Sequence, residues 1–485
     1  MGDDAGAAPR GAGWIAAGSV LLGGLMLAWP AFVNGYPILF SDSGAFLHQT
    51  TGPLMIWDKP WIYGPLMAVF HWGRSLWPVV VAQGAMLSWM VWLLLRAVAG
   101  GARPGLHLLV CGAVAALTAA PFSAALLMPD AFTGVVVLGA VLLGFARASL
   151  SRAEAVGLTI VAGVGIAAHL SHLPVAGTMV LVALVLAGWR GALRVAAPLG
   201  LGIALLLVTN AVGHGRVSLS PYGATFLMAR MVANGPAIRT IDARCPAAGW
   251  EMCGFVGRLD AYGPEGCARR AGGCPRGLLP SDEFLWSPES PVNRTAVGEV
   301  RWFGGRSLSG EAREIVAETI RREPVRVAWD AVRDTFEQLV TFRAGDTLTR
   351  AHVGEGVRPR IVEGFPPAEV ARLEAGAQWR DVLVARVQPL LWVHGPAMAM
   401  GAVVLALFGW RWRRDRVVAG LAVCVGLGVL ANAFSTGALS GPHDRYGARA
   451  MWVVVLAAMV LGIRAWRGAP YVLTRGARAA VGSSR

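Results

Sequence analysis

The chain has 485 residues, 55% of them hydrophobic and 15% charged, with a formal net charge of +14. A mean hydropathy of +0.54 excludes an ordinary soluble globular protein, and repeated apolar runs near the ~20 residues needed to cross a hydrocarbon core read as a polytopic membrane protein. The positive charge is nearly all arginine. No soluble basic segment stands out, so nucleic-acid binding has no support and the arginines read as helix flanks contacting the lipid bilayer.

Lipid forces each crossing to satisfy its own backbone hydrogen bonds, so the spans are expected to be helices. The first apolar run, Trp14–Val33, follows a short polar stretch, Met1–Arg10, and has no small-residue cleavage site behind it. It reads as a retained first helix rather than a signal peptide. The outer loop 34–76 holds Ser41-Asp42-Ser43-Gly44, then Trp57-Asp58-Lys59-Pro60-Trp61, then Tyr63-Gly64-Pro65-Leu66. Further spans are expected at Trp77–Arg96, Leu106–Ala120, Ala131–Ala146, Ala153–Leu170, from Pro174 to Gly188, and at Val195–Val212.

The character then changes. Residues 214–387 are polar, rich in Gly and Pro, and too long for a connector. They are expected to form an α-rich soluble domain inserted between spans seven and eight, with amphipathic helices at Gly310–Arg322 and Pro324–Phe342. This segment holds Cys245, Cys253, Cys267 and Cys274, without a CxxC pair or a neighbouring histidine. That pattern reads as two disulfides rather than zinc ligands, with the pairing open. Cys111 and Cys424, in apolar runs, read as packing residues. The last spans are Pro389–Phe408, Val417–Phe434 and Ala448–Ile463. The chain thus divides into 1–213, 214–387 and 388–485: about ten transmembrane helices and one extracytoplasmic insertion.

Orientation follows from arginine placement. Arg96, Arg103, Arg147, Arg152, Arg190, Arg194, Arg411, Arg413, Arg414, Arg416, Arg464 and Arg467 all fall on one side of this plan. By the positive-inside rule both termini are cytoplasmic and the cysteine segment lies outside, where disulfides persist.

The same plan gathers Asp42, Asp58, His71, Asp130, His169, His172, His443, Asp444 and Arg445 at the outer face. Asp42 reads as a reactive carboxylate, against the alternative that Ser41 or Asp42 merely caps a short interfacial helix. Asp58-Lys59-Pro60-Trp61 reads as a turn anchored by interfacial tryptophans. Asp130 is an N-cap or a second acid beside the site. His169 and His172 share a helical face if the fifth helix reaches them; a polar pair or a phosphate contact suits them better than a metal. His443-Asp444-Arg445-Tyr446 opens the last helix, and Arg with His at a helix N-terminus suits a phosphate.

These placements resemble the GT-C superfamily of polytopic glycosyltransferases, which includes protein mannosyltransferases and lipid A aminoarabinose transferases. Ser41-Asp42-Ser43-Gly44-Ala45-Phe46-Leu47 matches an Asp in the first outer loop, and Met128-Pro129-Asp130 is similar to a later Pro-Asp. Gly157–Pro174 resembles a Gly-rich helix ending in a polar residue before Pro, and Arg445-Tyr446 resembles the opening of the final helix. The basic residue expected before Pro174 is absent, with His172 standing near that place. The resemblance implies a sugar donor on polyprenyl phosphate in a bacterial inner membrane, and an extracytoplasmic acceptor of unstated kind. Asp42 would be the general base. Arg445, with His443 or His172, would meet the leaving phosphate, and Tyr446 and Asp130 would line the site. A divalent cation is possible, with Asp130 the one extra ligand on offer. A transporter or flippase of a lipid-linked substrate, or a non-catalytic envelope assembly protein, is the alternative. The first would carry mid-membrane charges and paired halves, neither of which the sequence displays.

Overall fold

The computed structural model describes residues 12–52, 55–266 and 279–468. Among these it is helical, with no strand and two isolated β-bridges, Ile38 to Leu126 and Arg294 to Val300. Cys245 and Cys253 form a disulfide; Cys267 and Cys274 lie outside the described residues.

The N-terminal part runs α1 (Ala12–Leu27), α2 (Trp29–Asn34), α3 (Ser41–Thr51), α4 (Tyr63–His71), α5 (Trp77–Val98), α6 (Pro104–Leu117), α7 (Ala120–Ala125), α8 (Phe132–Gly144), α9 (Arg152–Ala168) and α10 (His172–His214). The expected first span breaks after Leu27, because Pro30 at the second position of α2 starts a new turn. A capping box fixes the start of α9: Ser151 accepts from the Glu154 N–H, and Glu154 reaches back. That helix ends at Ala168, and His169 is extended (φ −147°, ψ 120°). His169 and His172 therefore do not share a helical face, which corrects the i, i+3 reading.

Helix α10 has 43 residues. Straight, it would run about 65 Å at ~1.5 Å per residue. Yet Leu170, just before it, and His214, its last residue, line one crevice. The reversal is at Gly188, whose φ of 74° and ψ of 179° are non-helical and belong to a region essentially reserved for glycine. Ala183 and Val195, on either side of the break, both lie beside Gly144 at the end of α8. The two limbs are what the sequence reads as spans six and seven.

The middle of the chain comprises α11 (Gly223–Ala233), α12 (Pro236–Arg244), α13 (Pro280–Trp286), α14 (Gly304–Ser307), α15 (Ser309–Arg322), α16 (Pro324–Val340), α17 (Arg358–Gly364), α18 (Pro367–Ala375) and α19 (Leu383–Leu391). It is not one unit. Met228, Ile241, Met252, Phe284 and Ile315 belong to a core of their own. Residues 344–387 instead share a core with the stretch 34–76, in which Tyr36, Ile38 and Leu47 pack with Val353, Ile361 and Leu373. Gln378 makes this join specific. Its Oε1 accepts from the Leu39 N–H at 3.1 Å, and its Nε2 donates to the Leu39 carbonyl at 2.6 Å. Tyr36 donates to Glu369 at 2.9 Å.

The chain closes with α20 (His394–Arg411), α21 (Arg416–Ala433), a π-helical turn (Phe434–Ala438) and α22 (Asp444–Trp466). Asp415 caps α21 through the N–H groups of Val417 and Val418 and pairs with Arg464 at 2.6 Å. Helix α22 is buried without interruption from Gly447 to Ala458. A helix buried all round must be apolar all round, so Arg449 within that stretch is conspicuous.

Among the described residues, five helical stretches are long and apolar enough to cross a membrane: Trp77–Val98, His172–His214, Leu383–Arg411, Arg416–Ala438 and Asp444–Trp466. Shorter apolar helices include Gly13–Leu27, Pro104–Leu117 and Pro129–Gly144. Contacts separate the two ends of this bundle. At one end Arg96 pairs with Glu154 at 2.7 Å and Arg467 donates to the carbonyls of Ala99 and Gly101. At the other, the polar residues singled out from the sequence meet.

Candidate functional site

Four separate stretches, carrying Asp42, Lys59, Asp130 and Arg445, bring the site together. Ser43 holds the start of α3: its Oγ accepts from the Phe40 N–H at 3.0 Å and donates to the Leu127 carbonyl at 2.8 Å. Ile38 and Leu126 form their bridge just upstream. The loop carrying Asp42 therefore lies along the segment that leads into Asp130. Phe40, in extended conformation, is the N-cap of α3. Asp42 is the second helical residue and caps nothing. Asp130 sits in a 3-10 turn, and no side chain caps that turn either.

The Asp42 carboxylate meets two cations. Lys59 Nζ lies 3.0 Å from its Oδ1, and Arg445 Nη1 lies 3.7 Å from its Oδ2. Lys59 also pairs with Asp58. Asp42 keeps 29% of its side chain exposed, against 1% for Asp130, so Asp42 is the carboxylate that an incoming group can reach. Burial pushes its pKa up, but Lys59 and Arg445 outweigh burial and hold it below the ordinary carboxylate value. Burial likewise opposes the charge on Lys59, and Asp42 and Asp58 prevail to raise its pKa.

The two arginines in the first turns of α22, Arg445 and Arg449, differ in one respect. Arg449 is saturated: it reaches Asp130 at 3.4 Å, His169 at 3.3 Å, Ser171 at 2.6 Å and Asn432 at 3.1 and 3.2 Å. Among the described residues the ion pairs of the Arg445 side chain are too long for hydrogen bonds, 3.7 Å to Asp42 and 3.8 Å to Asp130. Its guanidinium lies over the rings of Phe40 and Tyr446, 4.4 and 4.9 Å from their centroids. Its side chain is 10% exposed, and its Nη1 has no hydrogen-bond partner among the described residues. A buried donor left unmade is costly.

The remaining sequence candidates divide. Tyr446 lies beside this cluster, its ring against both arginines and His169. His172 is buried behind it with both ring nitrogens engaged, to Thr133 at 2.8 Å and the Gly165 carbonyl at 2.7 Å. No nitrogen is left to meet a phosphate. His443 turns toward α13, where its Nε2 is 3.2 Å from Asp282. Sequence reasoning missed Lys59, read as part of a turn, and Arg449, read as a helix flank. Lys59 had one available signal: it is the only lysine in the 485-residue sequence. Asp346 was also missed. It accepts the Arg445 backbone N–H at 2.9 Å, and its pKa is raised, chiefly by burial.

Beside Lys59 a crevice of about 320 Å³, open solvent included, is bounded by Trp57, Asp58, Leu170, His214, Tyr222 and Phe226. Among the described residues no three His, Cys, Asp or Glu side chains are grouped to hold a metal ion. Asp130 faces two guanidinium groups, a setting that does not fit a divalent cation. The arrangement offers a reachable carboxylate, two cations beside it and one unsatisfied guanidinium donor. That set suits a phosphate-bearing ligand next to a base. No protein family's sequence profile matches this chain, and neither a curated protein nor a solved structure matches it.

Proposed function

We propose that the chain is a polytopic membrane glycosyltransferase that moves a sugar from a polyprenyl-phosphate donor to an extracytoplasmic acceptor. The observation that carries this reading is the Arg445 Nη1, ion-paired to Asp42 at 3.7 Å but without a hydrogen-bond partner among the described residues, beside Lys59. A donor phosphate would supply the missing acceptor. It would also compete with Asp42 for Arg445 and Lys59, and so raise the Asp42 pKa toward the range of an effective base.

The step balances as an inverting displacement. The acceptor hydroxyl or amine gives its proton to Asp42 as it attacks the anomeric carbon. The bond from that carbon to the phosphate oxygen breaks, and the leaving phosphate keeps the electron pair. Arg445 and Lys59 offset its charge in a partly dry site, where such stabilisation is strongest. His172 and His443 take no part. The reading includes ten crossings, both termini in the cytoplasm of a bacterial inner membrane, and residues 214–387 outside.

The test is transfer from a radiolabelled polyprenyl-phosphate sugar in membranes. Asp42→Asn should insert and melt as the wild type does, and lose transfer by roughly 10²–10⁴-fold. Near-normal transfer by that variant sinks the base role. A wild-type chain that carries a lipid-linked sugar across vesicles without transferring it would favour the transporter reading.

A further inference from the structure

Helix α16 is amphipathic in the reverse of the usual sense. Its polar residues Asp330, Asp334, Thr335 and Gln338 are buried. Its apolar residues Val325, Trp329, Val332, Phe336 and Val340 are exposed, at 82, 63, 46, 64 and 76%. Their spacing of four, three, four and four residues places them in one stripe along about 22 Å of helix. In water such a stripe would be an aggregation liability.

The buried face is fixed by strong contacts. Asp334 pairs with Arg230 at 2.7 Å and with Arg333 at 2.9 Å, and accepts from Asn234 at 2.9 Å. Gln338 clamps the backbone of His443 in both directions, donating at 2.9 Å and accepting at 3.0 Å. Just beyond the helix, the Arg343 N–H donates to Asp444 at 2.8 Å. Leu339 and Phe342 pack against the core of the helical bundle. So α16 is held against the start of α22, where Arg445 stands, and its free face cannot simply turn inward.

We infer that α16 lies in the membrane leaflet on the Asp42 side, with its apolar stripe among the acyl chains. The bilayer hydrocarbon is the occupant because the stripe continues a surface of that kind. Val423, Leu427, Leu430 and Phe434 are exposed along α21 and its π turn, which is a candidate span, and α16 packs on that end of it. Arg326 and Arg333 flank the stripe and bond to Asp330 and Asp334, as arginines do at the edge of interfacial helices. Trp329 suits the same level. The helix thus ties the depth of the Arg445 site to the bilayer surface. This rests on the membrane reading and stands whether or not the chain transfers sugar.

The test is photocrosslinking of the full chain in vesicles of phosphatidylethanolamine and phosphatidylglycerol. Benzoylphenylalanine replaces Phe336, Val423 as a control on a span, or Arg313 as a control on the polar face of α15. Lipid adducts at 336 and 423 and none at 313 are expected. Adducts at 336 to another protein, or to a second copy of this chain, would overturn the inference. So would lipid adducts at 423 with none at 336. A Phe336→Glu, Trp329→Glu double variant should lose the trypsin protection of α16 that vesicles give the wild type; unchanged protection would also count against it.

Discussion

Arg445 and Arg449 are one helical turn apart and have opposite chemical standing. Arg449 has its hydrogen bonds made by Asp130, Ser171, Asn432 and His169. Breaking a buried pair by removing one partner leaves the other charge uncompensated. Arg449→Met is therefore expected to destabilise the fold by about 3–5 kcal/mol, seen as early thermal unfolding in detergent. Arg445→Lys should cost much less stability and still lose transfer, because a single ammonium cannot reproduce the planar fork. Lys59 sets a second expectation. It is one of the two cations that hold the Asp42 pKa down against burial. Removing it as Lys59→Met lets burial count for more, so the Asp42 pKa rises. A base acts in its ionised form, so the acid limb of kcat/KM against pH should move to higher pH. An unmoved limb would assign it to another group.

At the scale of single elements, the conformation of Gly188 decides where α10 turns back. With φ at 74° and ψ at 179°, a Cβ is strained whatever space surrounds it, by about 1–3 kcal/mol. Gly188→Ala should lower the unfolding temperature without touching the site. Gly44 is a second such place for a different reason: a Cβ there would stand 2.0 Å from the Gly356 carbonyl oxygen, so only glycine lets residues 350–358 rest on α3. How the elements read from sequence follows the same division. Apolar runs between arginine clusters announce spans, because lipid imposes length and charge together, and α5, α21 and α22 were legible for that reason. Asp42 and Arg445 were legible as costly charges at helix ends. Lys59 and Arg449 were not, because a turn lysine and a flanking arginine satisfy topology equally well. The division of residues 214–387 was also hidden: its last part, 344–387, completes the core of a loop some 300 residues away, and no local pattern records that.

At the scale of the whole molecule, the two ends of the bundle are chemically distinct. One gathers Arg96, Glu154, Asp415, Arg464 and Arg467. The other gathers the Asp42 cluster, and the Cys245–Cys253 disulfide lies in the segment attached to it. If the first end is cytoplasmic, an impermeant thiol reagent applied to reduced, sealed cells should label the cysteines of residues 214–387. Protection from that reagent would invert the topology. Labelling should also leave Cys111 and Cys424 unmodified, since both are buried.

The bond from Gln378 to Leu39 has a consequence for how the protein is made. Synthesis runs at about 5–20 residues per second, so the chain between them takes roughly 15–70 s to emerge. For that interval the first loop has Leu39 without its hydrogen-bond partner, and Tyr36, Ile38 and Leu47 without the residues that later cover them. Asp42 is thus assembled last although it is translated among the first. Until then the Asp42 carboxylate lacks Arg445, which is translated later still.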